Sequence, residues 1–328
     1  LSAVIATWSS ALPNRHAAAA QPADPLVLEV TIPLPDVRRR IDHMAVDLAR
    51  QRLFVAELGN NSVDVVDLSA GRVLHRIANL SEPQGVGYSE NADLIFVANA
   101  ADGTVRLFGG ADFTPEATIP LGDDADNIRV DSRTGLIVVG FGDGGLALID
   151  PQTRTKVAAI ALPGHPESFR IDAQTGRAFV NIPDAREVAV VDLGARRAIA
   201  HWPMRGLGGN FPMALDAAFD RLAVVFRNPP LLALLDPASG AVRAEAKTCG
   251  DADDVFFDDR RNRIYISCGA GEVATFQIEG AGVRPLPSTP TAIGARTSLF
   301  VPTLDRLFVA RRAGPSRSAA ILVYRPGT

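Results

Sequence analysis

Acidic, amide and imidazole side chains recur in short polar segments spread along the chain. These are Arg40-Ile-Asp42-His43, Gln84-Gly85, Gly122-Asp-Asp124-Ala-Asp126-Asn127, Gly164-His165-Pro-Glu167-Ser168, Asn210-Phe211-Pro212, Gly250-Asp251-Ala-Asp253-Asp254 and Arg296-Thr-Ser298. Brought together, they could do three kinds of chemistry. The hard oxygen donors of Asp126, Asn127, Glu167 and Asp253 suit a divalent cation such as calcium, magnesium or manganese, and recruitment of His43 or His165 turns the preference toward zinc or iron. Because imidazole titrates near neutrality, His43 could act as a general acid or base, although a structural hydrogen bond to Asp42 is an equal alternative. Arg40 and Arg296 could clamp a carboxylate or phosphate bidentately, or instead close internal ion pairs with Asp42 or Asp253. In a ligand site, Asp42, Gln84, Asp124, His165, Asn210, Asp251 and Ser298 would add polar contacts and Phe211 an apolar wall. Carboxylates this crowded repel one another, so they need a cation, a shared proton or neighbouring arginines. The plainer alternative is that these groups cap loop amides and bind water.

Such residues meet only if the chain folds back repeatedly, and a repeat supplies the means. Arg52-Leu-Phe-Val-Ala, Leu94-Ile-Phe-Val-Ala, Leu136-Ile-Val-Val-Gly, Arg177-Ala-Phe-Val-Asn, Arg221-Leu-Ala-Val-Val, Arg263-Ile-Tyr-Ile-Ser and Arg306-Leu-Phe-Val-Ala are seven copies of one strand. They recur about every 42 residues, the spacing of propeller blades. Ahead of each copy lies an innermost strand such as Ile128-Arg-Val-Asp131, joined by a polar turn like Ser132-Arg-Thr-Gly135. After it come a third strand such as Val188-Ala-Val-Val-Asp192 and an edge strand such as Val242-Arg-Ala-Glu-Ala246. The pattern predicts an all-β, seven-bladed β-propeller over residues 26–328, with four-stranded antiparallel blades whose innermost and second strands are buried. The last copy ends at Ile321-Leu-Val-Tyr-Arg-Pro-Gly-Thr328 without an outermost strand, while Leu26-Val-Leu-Glu-Val-Thr-Ile32 precedes the first copy unpaired. The N-terminal strand is therefore expected to complete the seventh blade and remove its free edge.

Superposing the copies on Asp47 places Asp42-His43, Gln84-Gly85, Asp126-Asn127, Glu167-Ser168, Phe211-Pro212, Asp253-Asp254 and Thr297-Ser298 just before the innermost strands, around one mouth of the axial channel. Four of the seven pairs carry an acid, which makes this mouth the candidate site.

Composition fits this architecture and narrows the function. With 328 residues, 47% hydrophobic, 28 Gly and 23 Pro, the chain has ample core and many turns for one repeat array. Only two lysines, Lys156 and Lys247, and a net charge of -4 provide no basic stripe, so nucleic acid is not expected as a partner. Gly140-Phe-Gly-Asp-Gly-Gly145 spells a dinucleotide fingerprint but lies between two strands, where it reads as a hairpin turn. No Gly-x-Ser-x-Gly, Cys-x-x-Cys or HExxH motif supports serine-hydrolase, thioredoxin-like or zincin chemistry. Residues 1–25 combine the apolar run Leu1-Ser-Ala-Val-Ile-Ala-Thr-Trp-Ser-Ser-Ala-Leu12 with Ala17-Ala-Ala-Ala20, like the remainder of a secretory signal. A periplasmic or otherwise extracytoplasmic location follows, and there Cys249 and Cys268 could form a disulfide, remain buried thiols or bind a soft metal. No segment is long and apolar enough to cross a bilayer as a helix, and a monomer is expected.

The copies, with Phe96-Val-Ala-Asn99 and its relatives, resemble the YVTN or YncE-like family of seven-bladed propellers over residues 26 to 328. That resemblance implies a bacterial, exported propeller and assigns no activity. Two functions remain: binding of a small molecule or protein at the channel face, with or without a divalent metal, and metal-assisted hydrolysis or lysis of a lactone-like substrate. In the second, Glu167, Asn127 and Asp253 are ligands and His43 is the acid or base. A third reading, a scaffold binding through its outer rim, leaves the mouth acids dispensable.

Overall fold

The computed structural model describes residues 24–327 other than 217 and 219. The signal-like stretch falls almost wholly outside the described residues. Seven antiparallel sheets follow one another along the chain, and their second strands are Arg52–Glu57, Leu94–Asn99, Ile137–Phe141, Arg177–Ile182, Arg221–Asn228, Arg263–Cys268 and Arg306–Arg311. These are the seven repeat copies, one per blade. In the first blade the order is Met44–Asp47, Arg52–Glu57, Ser62–Asp67 and Arg72–Ile77, and the following blades repeat it. The sixth differs at its rim, where the outer strand is divided into Gly282–Pro285 and Thr289–Pro290.

The seventh sheet closes as the sequence predicts. Leu26–Pro33 pairs antiparallel with Ala320–Pro326, setting Ile32 opposite Ile321 and Leu26 opposite Pro326, with a bulge between Leu28 and Val30. Glu29 bridges Arg306 and Arg325, each at 2.7 Å, across this last pairing.

Burial differs from the expectation in one respect. The second and third strands are the most enclosed, whereas the innermost strands are only partly buried, as in Phe169–Asp172. Innermost strands line the channel, so one side of each has no neighbouring blade. The core lies between blades. Among the described residues the buried hydrophobics form seven clusters, one at each junction, including Phe54, Val65, Val86 and Ile95 between blades one and two. Each blade is flanked by two of these clusters, so the ring is held by side chains from adjacent copies. No helix among the described residues is long and apolar enough to cross a membrane.

The Gly140–Gly145 segment is the expected hairpin: Phe141 pairs with Gly145, and Gly142 turns the chain at φ +59°. No helix follows it to receive a pyrophosphate.

Candidate functional site

The positions preceding the innermost strands converge around one opening of the channel. Register fixes them. Met44 pairs with Val55 in the first blade and Ser298 with Val309 in the seventh, so Arg296-Thr297, rather than Thr297-Ser298, matches Asp42-His43. The correction puts an arginine on the ring itself. The residue in register with Asp47 is Val301, so the seventh copy lacks this acid, as does the second, where Ser89 stands. Close packing holds the ring together. A Cβ on Gly85 would stand 2.0 Å from the Asp126 carbonyl oxygen, so only glycine lets the second blade approach the third this closely.

Two charged constellations occupy the opening. In the first, the Asp126 carboxylate lies between two histidines of other blades, with Oδ1 3.7 Å from His43 Nε2 and Oδ2 3.8 Å from His165 Nε2. These are ion-pair rather than hydrogen-bond distances. His165 Nδ1 donates to the Gly142 carbonyl at 2.7 Å, which turns Nε2 toward Asp126. Pairing with Asp126 outweighs burial and pushes the His165 pKa up to about 9. Burial opposes charge on His43, yet Asp42, Asp126 and Asp254 together hold its pKa above the ordinary imidazole value. For Asp126 the burial cost is overcome by the two histidines, leaving its pKa low. Arg40 Nη2 pairs with Asp42 at 2.7 Å and reaches Gln84 Oε1 at 3.5 Å, while Gln84 Nε2 donates to Asp124 at 3.2 Å. Glu167 is lifted to about 7 by burial and then by Asp126.

The second constellation joins blades five, six and seven. Arg227 donates to Asp253, and its guanidinium carbon stands 3.8 Å from the centroid of the Phe211 ring. Arg296 reaches Asp251 at 2.6 Å and Asp253 at 3.2 Å. Phe211 therefore supports Arg227. Arg312 lies beside Arg296 and Arg40; burial and then these two neighbours depress its pKa, and its Nη2 has no hydrogen-bond partner among the described residues. The Asp254 carboxylate accepts from the Ser298 amide at 2.7 Å and is raised to about 7, chiefly by burial.

The expected metal set does not assemble. Among the described residues no group of three or more His, Cys, Asp or Glu side chains is arranged to hold a metal ion. Asp126 is taken by two imidazoles and Asp253 by two guanidiniums, so the protein's own cations neutralise the acids nominated as ligands. Arg40 and Arg296 close internal ion pairs, the alternative that the sequence left open. Asn210 lies away from solvent: its amide donates to Asn181 Oδ1 at 3.3 Å and to the Glu187 carbonyl at 2.9 Å, tying the fifth blade to the fourth. His75 and His201 sit on outer strands, His75 stacked on Phe113 and His201 paired with Glu187.

Cys249 and Cys268 form a disulfide with Cα atoms 6.0 Å apart, fastening the loop that carries Asp251 and leads into the strand bearing Asp253 to the end of the sixth blade's second strand. Beneath the opening the channel forms a cavity of about 390 Å³, edged by His43, Asp254 and Ser298 and walled by innermost strands. Sequence reasoning did not single out Arg129, Arg170, Arg227 or Arg312. For Arg129 and Arg170 a signal existed: arginine at the same register of consecutive copies, Ile128-Arg-Val-Asp131 and Phe169-Arg-Ile-Asp172.

No protein-family model matches the chain, and no curated protein matches it. Solved structures share its fold. A chain of the hydrazine synthase of Kuenenia stuttgartiensis superposes with a TM-score of 0.77 at 15% identity, over 89% of this chain and 98% of that one. A chain of the mitotic checkpoint complex superposes with a TM-score of 0.78 at 13% identity, over 100% of both. At such identities the likeness establishes the seven-bladed propeller and nothing about activity.

Proposed function

We propose that this is an exported binding protein of the YncE-like type that receives a small polar ligand at the acid-rich mouth of its channel. The observation that carries the reading is the His43–Asp126–His165 arrangement at the mouth, of which His43 lines the cavity. There Asp126 Oδ1 and Asn127 Oδ1 are buried and, among the described residues, accept no hydrogen bond. Buried acceptors are almost always satisfied, so a ligand presenting hydroxyl or amine hydrogens matches this chemistry. The recurring Phe96-Val-Ala-Asn99 strand supports the family assignment, and the Cys249–Cys268 disulfide supports an oxidising, periplasmic compartment.

A thermal-shift panel of amino acids, hydroxy acids, sugars and nucleosides tests the proposal on the parent and on Asp126→Asn. At least one class should raise the unfolding temperature saturably. Its affinity should fall about tenfold or more in the variant, the cost of one charged hydrogen bond of roughly 1.5–3 kcal/mol. Equal shifts in parent and variant, or none in either, would remove the mouth from the account.

A further inference from the structure

At its middle level the wall of the channel cavity is apolar except on one side. At the middle register of the innermost strands stand Ala45, Gly87, Ala214, Phe256 and Leu299, but in the adjoining third and fourth blades Arg129 and Arg170. Both guanidiniums line the cavity, together with His43, Tyr88 and Asp254. Their contacts within the protein are few, and the Arg129 guanidinium carbon stands 5.7 Å from the centroid of the Phe169 ring. Arg129 donates to its neighbour's carbonyl, that of Ile128, at 2.6 Å, while Arg170 donates to the Phe169 carbonyl at 2.9 Å and to Ser168 Oγ at 3.1 Å. Among the described residues neither forms an ion pair; Asp254 and Asp126 act on Arg129, and Asp254 on Arg170, only at longer range. Each guanidinium carries five N–H donors in a fixed plane, so most of this donor capacity is unused.

We infer that Arg129 and Arg170 bind the oxyanion group, a carboxylate or phosphate, of a small molecule that enters the channel through the acidic mouth. The inference rests on the reading of this opening as a ligand site and adds the chemical class. Two adjacent cations in a partly enclosed cavity repel and are poorly hydrated, and an oxyanion relieves both costs while accepting paired N–H bonds. Burial, and then Arg129, lower the Arg170 pKa to about 9, in keeping with a cation that lacks a counter-charge. The layout also sorts ligands: the acids above favour hydroxyl or amine hydrogens, and the arginines below favour the anionic end.

Calorimetric titration at low ionic strength with succinate and with inorganic phosphate tests the assignment, with sodium chloride as the control. We expect saturable binding of at least one probe, weakened about tenfold or more in each of Arg129→Met and Arg170→Met. Arg170→Lys should recover only part of the loss, because a lysine cannot pair bidentately. Succinate without phosphate identifies a carboxylate site, and the reverse a phosphate site. Succinate offers no hydroxyl or amine hydrogen to the mouth acids, so succinate binding that the arginine variants weaken, alongside panel shifts equal in parent and Asp126→Asn, marks failure of the mouth reading alone. Saturable binding of neither probe overturns the inference. So does a response no greater than that to chloride, or parent-like binding by both methionine variants. If a methionine variant does not fold, parent-like affinity in the lysine variant overturns it equally.

Discussion

A chain lacking residues 26–32 should lose the cooperative unfolding of the whole ring, not merely the order of one strand. Leu26 and Ile32 are each only 2% exposed and belong to different junctions: Ile32 packs with Phe308, Ile321 and Met44 between blades seven and one, Leu26 with Tyr265 and Tyr324 between six and seven. The deletion opens cavities at two interfaces and strips the partner from Ala320–Pro326, leaving an unpaired edge that recruits other chains. Ile32→Ala alone should cost about 2–5 kcal/mol. Urea unfolding followed by fluorescence and by far-ultraviolet dichroism checks both variants. The deletion should show an earlier, broadened transition in which the probes disagree, and a midpoint equal to the parent's would refute the clasp.

Removing the disulfide should have the second largest effect. For the 19-residue separation between Cys249 and Cys268 the chain-entropy model gives about 3 kcal/mol. The double variant Cys249→Ser/Cys268→Ser should lose that amount in urea, and the parent in strong reductant should behave like it. The consequence reaches the mouth. The loop freed at Cys249 carries Asp251 and leads into the strand bearing Asp253; these are the partners of Arg296 and Arg227, so those pairs should loosen with it. Identical unfolding of parent and variant in oxidising buffer would show that the bridge contributes nothing.

Much of this architecture is readable from the chain because blades repeat the same local rules. Arg52-Leu-Phe-Val-Ala and its relatives are buried on both faces and so must stay apolar, which preserves the marker in all seven copies. The acid at the end of the innermost strand is kept for a local reason as well: Asp47 accepts from the Arg50 amide, and Asp131 from the Arg133 amide and the Thr134 hydroxyl. In the seventh copy the superposition slips by one residue and Arg296 is misplaced. Of the charge pairing at the mouth, Arg40–Asp42 and Arg296–Asp253 stood open as alternatives in the sequence, whereas the pairs made by Arg227 and His165 were not legible, since nothing in the sequence sets those residues beside their partners. Arg227 ends a second strand in the fifth blade, and nothing nearby in sequence shows that it reaches Asp253 and rests on Phe211. Crowded acids suggested a cation, a shared proton or neighbouring arginines; that Arg227 and the two histidines join in neutralising them becomes visible only once the ring closes.

The account depends on the ring bringing side chains from blades one, three and four into one electrostatic unit, and the imidazole titrations of His43 and His165 by NMR test that most directly. Both should titrate above the ordinary imidazole value of 6.5, His165 near 9, and Asp126→Asn should lower the two together. Either histidine titrating at its ordinary value in the parent would contradict the account, as would Asp126→Asn moving only one of them.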